Sequence, residues 1–171
     1  MPIRVGMGKD SHAFEEEGGS KKLILGGKII EGERGMKAHS DGDVISHAVF
    51  NALASAVGER SIGNYFPDND PKWKNADSKI FLEEAKRMVA AKDYSIANIA
   101  IVVECKRPKI VPHEIEMKKN LAKMLGIKAE QISITATSGE GLTPFGKGLG
   151  IEVTASVMLF HESVRHSLGK K

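Results

Sequence analysis

Residues 96–105 read IANIAIVVEC. Half of these ten residues are Ile or Val, so the run reads as a strand, and it lies between two stretches that read as helices. Upstream, residues 77–91 carry a helical pattern opened by Asp77 or Ser78 as a cap; downstream, Pro112 starts a helix that ends near Gly126. Further out, ISITAT (132–137) and GIEVTASVMLFH (150–161) read as strands separated by a glycine-rich loop. Toward the start, IRVGMG (3–8) and KLILGG (22–27) are strand-like runs that stop at glycine. Residues 43–57 place Val44, Ala48, Val49, Ala52, Leu53, Ala56 and Val57 on one helical stripe. The order β-β-α-α-β-α-β-β, helices interspersed without strict alternation, predicts an α+β fold: one mixed sheet with helices packed on one face. We read residues 1–162 as a single domain and residues 163–171 (SVRHSLGKK) as a short, polar, frayed tail.

With 171 residues the chain can bury a real core. Its formal charge of +3 is mild and its basic residues are scattered, which argues against nucleic acid as a partner. Only 5% of residues are aromatic, too few for a base-stacking platform. One cysteine, Cys105, excludes an internal disulfide and fits a reducing compartment; inside an apolar run it reads as a small buried hydrophobe. No apolar run approaches the ~20 residues that span a bilayer. The strand-like start leaves no room for a leader, so the expected location is the cytoplasm, an upstream segment removed earlier being the other origin.

The chemistry-bearing residues cluster early. Asp10 and His12 are two positions apart, so in extended chain they project to the same side. At ~100° per residue, His47 points away from the apolar stripe of its helix, alongside Asp43 and Asn51, on a polar face suited to a cleft. Two histidines and an aspartate make a three-ligand set with one position open, the arrangement of catalytic zinc; on pattern alone these are also ordinary surface or capping residues. His39 and Ser40 precede the same helix, where Ser40 or Asp41 is a natural N-cap and the helix start is a seat for phosphate. FPDNDP (66–71) must turn, and its Asp68 and Asp70 either receive hydroxyls or fold the loop. KRPKIVPH (106–113) offers Lys106, Arg107 and Lys109 to phosphates or to solvent. TSGEGLTPFGKGLG (137–150) lacks the P-loop order; it is either a flexible connection or a phosphate cradle whose Glu140 binds a divalent cation. His113, His161 and His166 carry no pattern, and no Ser–His or Cys–His pair suggests a protein nucleophile.

Taken in order, DSHAF (10–14), LILGG (23–27), AHSDGDV (38–44) with His47, IGNYFPDNDP (62–71), ADS (76–78), RPKIVPH (107–113) and TSGEGL (137–142) resemble the 2-C-methyl-D-erythritol 2,4-cyclodiphosphate synthase family of the non-mevalonate isoprenoid pathway. The resemblance runs from residue 5 to about 160. It implies a homotrimer with sheets around a central axis and active sites between neighbouring subunits. It implies Zn2+ on Asp10, His12 and His47, with Asp10, His12, His39 and Ser40 also at the substrate. His39 and Ser138 take transition-state-stabilising positions. Ser61, Ile62 and Gly63 lie where the family holds ribose, and Phe66, Pro67, Asp68, Asn69 and Asp70 lie over the methylerythritol part. Cys105, Lys106, Arg107, Pro108, Lys109, Ile110 and Val111 match a cytosine and phosphate loop lent by a neighbouring subunit. Thr137, Ser138, Gly139 and Glu140 match the diphosphate run, Glu140 holding Mg2+ or Mn2+. Phe145 and Lys147 fall near the trimer axis, with a prenyl diphosphate as candidate occupant of the central cavity.

The implied reaction is intramolecular: the 2-phosphate of 4-diphosphocytidyl-2-C-methyl-D-erythritol 2-phosphate attacks the β-phosphorus and CMP leaves. Three residues depart from the family pattern: Ser61 replaces a usual aspartate, Ser138 a usual threonine and Lys147 a usual arginine, which loses a planar fork. The alternatives are a zinc-dependent hydrolase and a non-catalytic trimer that binds cytidine nucleotides.

Overall fold

A computed structural model describes residues 2–164; most of the polar tail, residues 165–171 with His166, lies outside the described residues. Four strands form one sheet in the order β1-β6-β4-β5: β1 (Ile3–Ala13), β6 (Gly150–His161), β4 (Tyr94–Glu104) and β5 (Ile132–Thr137). β6 runs antiparallel to both neighbours and β4 runs parallel to β5, so the sheet is mixed as the sequence predicts. Side chains alternate along the strands. Ile99, Ile101 and Val103 of β4 and Ile151, Val153, Ala155, Val157 and Leu159 of β6 are buried on one face. That face is covered by α1 (Val44–Ala56), α3 (Ser78–Ala90) and α4 (Glu114–Leu125). On the opposite face Val5 and Met7 are 68% and 64% exposed, with Val102 and Met158 beside them.

Two elements escape the sequence reading. The KLILGG run continues through a two-residue turn into a second strand: β2 (Lys22–Leu25) pairs with β3 (Lys28–Arg34). Gly26 and Gly27 both take positive φ, 55° and 71°, as this hairpin turn requires. A four-residue helix, α2 (Ile62–Tyr65), is too short to show periodicity. β1 also runs five residues beyond the IRVGMG run, and so carries Asp10 and His12 itself.

α1 sits at the centre of the molecule, with 11 of its 13 residues buried. The polar stripe read along residues 43, 47 and 51 is therefore not a solvent face. Asp43 is 1% exposed and is the N-cap, in place of Ser40 or Asp41. Its carboxylate takes the backbone N–H groups of Ile45 and Ser46 and of Gly26 and Gly27, and so ties α1 to the β2–β3 turn. Burial and the charge of Asp41 push the Asp43 carboxyl up, while the hydrogen bonds from Gly27, Ser46 and Gly26 pull against that. With those N–H groups filled, the start of α1 is not a phosphate seat.

α1 lies close on β1 because β1 presents glycine to it. A Cβ on Gly6 or Gly8 would fall 2.1 Å and 2.3 Å from the Ala52 and Ala48 carbonyl oxygens. Gly6, Gly8, Asp10 and His12 follow one another at the two-residue spacing of a single strand face. The face that admits the helix is therefore the face that carries the acidic and imidazole side chains.

Candidate active site

Asp10 and His12 on β1 and His47 on α1 meet where the helix crosses the strand. Asp10 Oδ2 is 3.0 Å from His47 Nδ1 and 3.2 Å from His12 Nε2, and the two imidazole nitrogens are 3.1 Å apart. Zinc–ligand bonds of about 2.0–2.1 Å in a tetrahedron set neighbouring donors about 3.3 Å apart. The three donors thus already form one face of such a tetrahedron, and the donor set fits zinc. Burial raises the Asp10 carboxyl, but hydrogen bonds and charge from His12 and His47 outweigh it and hold the group well below the ordinary carboxylate range.

These side chains open onto a cavity of about 280 Å³ that is also lined by His39, Ser40, Ile62, Gly63, Phe66 and Asp68. The aromatic wall is packed: the Phe66 ring lies 4.5 Å from Phe81 and 4.8 Å from Trp73. His39 Nε2 donates to the Asp70 carbonyl at 2.9 Å, which fastens the histidine to the 66–70 loop. Pro67 accepts from the Asp70 N–H and Asn69 is exposed, so both shape the loop. Asp70 caps the turn at Pro71–Trp73 through Lys72 N, the folding role weighed for it from sequence. Ser61 is exposed, and its hydroxyl donates to Asn64 Oδ1 at 3.3 Å. Asn51, on the same side of α1 as His47, accepts from Ile62 N and positions α2 at the cavity rim.

Three residues whose part in the site local sequence did not show support it. Lys21 Nζ donates to the Ser40 carbonyl at 2.8 Å and to the Ala38 carbonyl, bracketing His39 from behind. Asp41 and Ser78 meet at the back of His47. Each of these contacts spans 17 to 37 residues of sequence, beyond any local pattern.

The other predicted residues form a second group at the same end of the sheet but on other strands. Cys105 N–H donates to the Thr137 carbonyl and Lys106 N–H to the Phe145 carbonyl, both at 3.1 Å, and Glu104 holds Thr143. This group gathers Arg107, Pro108, Lys109, Ile110 and Val111 after β4, and Ser138, Gly139, Glu140 and Lys147 after β5. Thr137, Ser138, Glu140 and Lys147 are exposed, and Glu140 takes a left-handed φ of 48°. β4 and β5 are two and three strands from β1, about 10 and 14 Å at ~4.8 Å per strand. None of the second group lines the cavity beside the triangle.

Cys105 enters the second group by its backbone alone. Its thiol is 5% exposed and turned to the Pro108 carbonyl. Burial, helped by the charge of Glu33, pushes it up to about 11. At pH 8 the folded thiol is expected to react with a disulfide reagent about two orders of magnitude more slowly than a free thiol. Because the folded value lies above the unfolded one, the thiol contributes stability below about pH 8.5 that is lost as pH rises through the folded value. Absorbance-monitored labelling before and after denaturation checks this; rapid labelling of folded protein would contradict it.

The sequence model described as the YgbB family matches residues 3–160. A protein of Aquifex aeolicus named 2-C-methyl-D-erythritol 2,4-cyclodiphosphate synthase is 46% identical over 159 residues, 93% of this chain and 98% of the relative. A solved structure described as IspF from Plasmodium falciparum in complex with CDP is 34% identical, with a TM-score of 0.82 over 94% of this chain and 97% of that one. Another, a 2C-methyl-D-erythritol-2,4-cyclodiphosphate synthase in its CDP-bound form, is 36% identical, with a TM-score of 0.81 over 91% and 99%. The Asp10–His12–His47 triangle, the cavity beside it and a match along nearly the whole chain agree: this protein belongs to the YgbB family, the family of the 2-C-methyl-D-erythritol 2,4-cyclodiphosphate synthases.

Proposed function

We propose that the chain converts 4-diphosphocytidyl-2-C-methyl-D-erythritol 2-phosphate to 2-C-methyl-D-erythritol 2,4-cyclodiphosphate and CMP, as a phosphorus–oxygen lyase of the non-mevalonate isoprenoid pathway. The observation that carries the reading is the triangle of Asp10, His12 and His47 at the mouth of the cavity. Among the described residues no helix is long and apolar enough to cross a membrane.

The reaction needs no nucleophile from the protein, since the attacking 2-phosphate and the β-phosphorus belong to one molecule. What opposes it is repulsion between two anionic groups and the freedom of a flexible chain. Asp10, His12 and His47 would hold Zn2+ and Glu140 would hold Mg2+ or Mn2+, ions that would supply positive charge to offset the repulsion. Ser40 and His39 stand beside the triangle and hold the phosphate end in line. Phe66 and the 66–70 loop cover the sugar and exclude water. His39 and Ser138 donate to the charge that grows on the transferring phosphoryl group. Ser61 gives the ribose a hydroxyl partner in place of a carboxylate, and Lys106, Arg107 and Lys109 face the cytidine phosphates.

Two observations support a homotrimer in which a neighbour's 105–111 and 137–147 segments complete the cavity. The two half-sites lie on different strands of one chain, and the sheet face opposite the helices leaves Ile3, Val5, Met7 and Met158 at 40–68% exposure. Lys147 and Phe145 then approach the axis, where an apolar diphosphate ester is the candidate ligand.

The test is turnover followed by 31P NMR in H2(18)O with zinc and magnesium present. Release of CMP with a cyclic diphosphate free of solvent 18O supports the reading. An 18O-labelled acyclic phosphate identifies a hydrolase, and unchanged substrate bound to fully metallated protein identifies a binding module; either overturns it.

A further inference from the structure

The ring of His47 is backed by two hydroxyls and a carboxylate. Ser78, the first residue of α3, is 2% exposed. Its N–H donates to Asp41 Oδ2 at 2.8 Å, and its hydroxyl lies 2.5 Å from Asp41 Oδ1. A serine hydroxyl carries one proton, and a carboxylate only accepts. With that proton committed to Asp41, Ser78 Oγ meets His47 Nε2, 3.2 Å away, as an acceptor. Ser40 Oγ, which takes the Gly42 N–H, stands 3.1 Å from the same ring nitrogen. Ser78 cannot donate to Nε2, and the Ser40 hydroxyl can either accept or donate there, so a proton on Nε2 is the arrangement that gives both hydroxyl oxygens a donor and turns the Nδ1 lone pair toward Asp10 and His12.

That outcome is contested inside the site. Asp10 Oδ2 lies 3.0 Å from Nδ1 and would draw the proton to that side, where it would cover the lone pair needed for a metal. We propose that Asp41, acting through the Ser78 hydroxyl, is a positioning pair that keeps the His47 proton on Nε2 and leaves Nδ1 free as a metal donor. It is the carboxylate–histidine–metal arrangement with a hydroxyl inserted between carboxylate and ring. The inference rests on the metal reading above for its purpose, and for the proton on the commitment of the Ser78 hydroxyl to Asp41.

The test uses the full-length chain with 15N-labelled histidine, as wild type, Ser78→Ala and Ser78→Thr. Each variant keeps the Asp77 cap of α3 and the residue-78 N–H to Asp41, and circular dichroism checks the fold. Ring-nitrogen shifts of His47 are read without metal at a pH where the ring is neutral, and zinc affinity by competition with a chelator. Wild type is expected to carry the proton on Nε2. Ser78→Ala shifts it toward Nδ1 and weakens zinc about 10- to 100-fold, and Ser78→Thr restores both. An Nδ1–H wild type, or a Ser78→Ala protein with unchanged shifts and affinity, overturns the proposal. A wild type that takes up no zinc overturns the metal reading instead, and the ring-nitrogen shifts still decide the role of Asp41 and Ser78.

Discussion

His12→Ala is expected to lower turnover by about a thousandfold, the scale of the several kcal/mol of charge stabilisation that a bound dication supplies, at 1.36 kcal/mol per tenfold in rate. The substitution removes one corner of a triangle whose edges are 3.0 to 3.2 Å, leaving two donors where a firm site needs three. It is the cleanest of the three ligand substitutions. The His12 side chain keeps 20% of its exposure and sits near the end of a strand, so its loss is expected to change unfolding free energy by no more than about 1 kcal/mol. His47 at 7% is buried in the central helix, and its removal would confound chemistry with packing. Zinc content by mass spectrometry should fall with kcat while the circular dichroism spectrum is unchanged. Wild-type kcat in a protein stripped of this imidazole would remove the triangle from the mechanism.

Gly8→Ala should damage stability and chemistry together. The new Cβ would sit 2.3 Å from both the Ala48 carbonyl oxygen and the Ala52 nitrogen, and 2.8 Å from the Asn51 carbonyl carbon. All three are backbone atoms of α1, so no rotamer change relieves the clash and the helix must lift off β1. Overpacking against backbone is expected to cost about 3 kcal/mol, measurable as a lower urea midpoint with an unchanged slope. The displaced segment adjoins His47 while Asp10 and His12 stay on the strand, so the triangle opens. A shift of about 1 Å is enough for a hundredfold loss of kcat. Full activity and stability in Gly8→Ala would mean that helix and strand are not held at the spacing described.

The alternation of Asp10 and His12 and the β-branched runs of β4 and β6 were readable because they obey local periodicities of two. Other features obey no local rule. The Gly26–Gly27 pair looked like a stop, but between Leu25 and Lys28 it is a turn, and the strand after it is rich in charge and broken by Gly32. The cap of α1 went to Asp43 because the β2–β3 turn offers two N–H groups to that carboxylate, which neither Ser40 nor Asp41 receives. Ser40 and Asp41 were thereby left free to serve His47. Ser78 read as a helix start, which it is, but its second role depends on a histidine 31 residues away. The 106–113 and 137–150 loops were legible as phosphate-binding candidates, but only the family resemblance tied them to the triangle, whose cavity they do not line within one chain.

Among the described residues, the only ladder partner of β1 is β6, which begins at residue 150. During synthesis β1 therefore waits until the segment from residue 150 onward has left the ribosome before its backbone can be paired. Asp10 and His12 are thus made long before the strand that fixes their positions, and the triangle with His47 cannot set until β6 has joined β1.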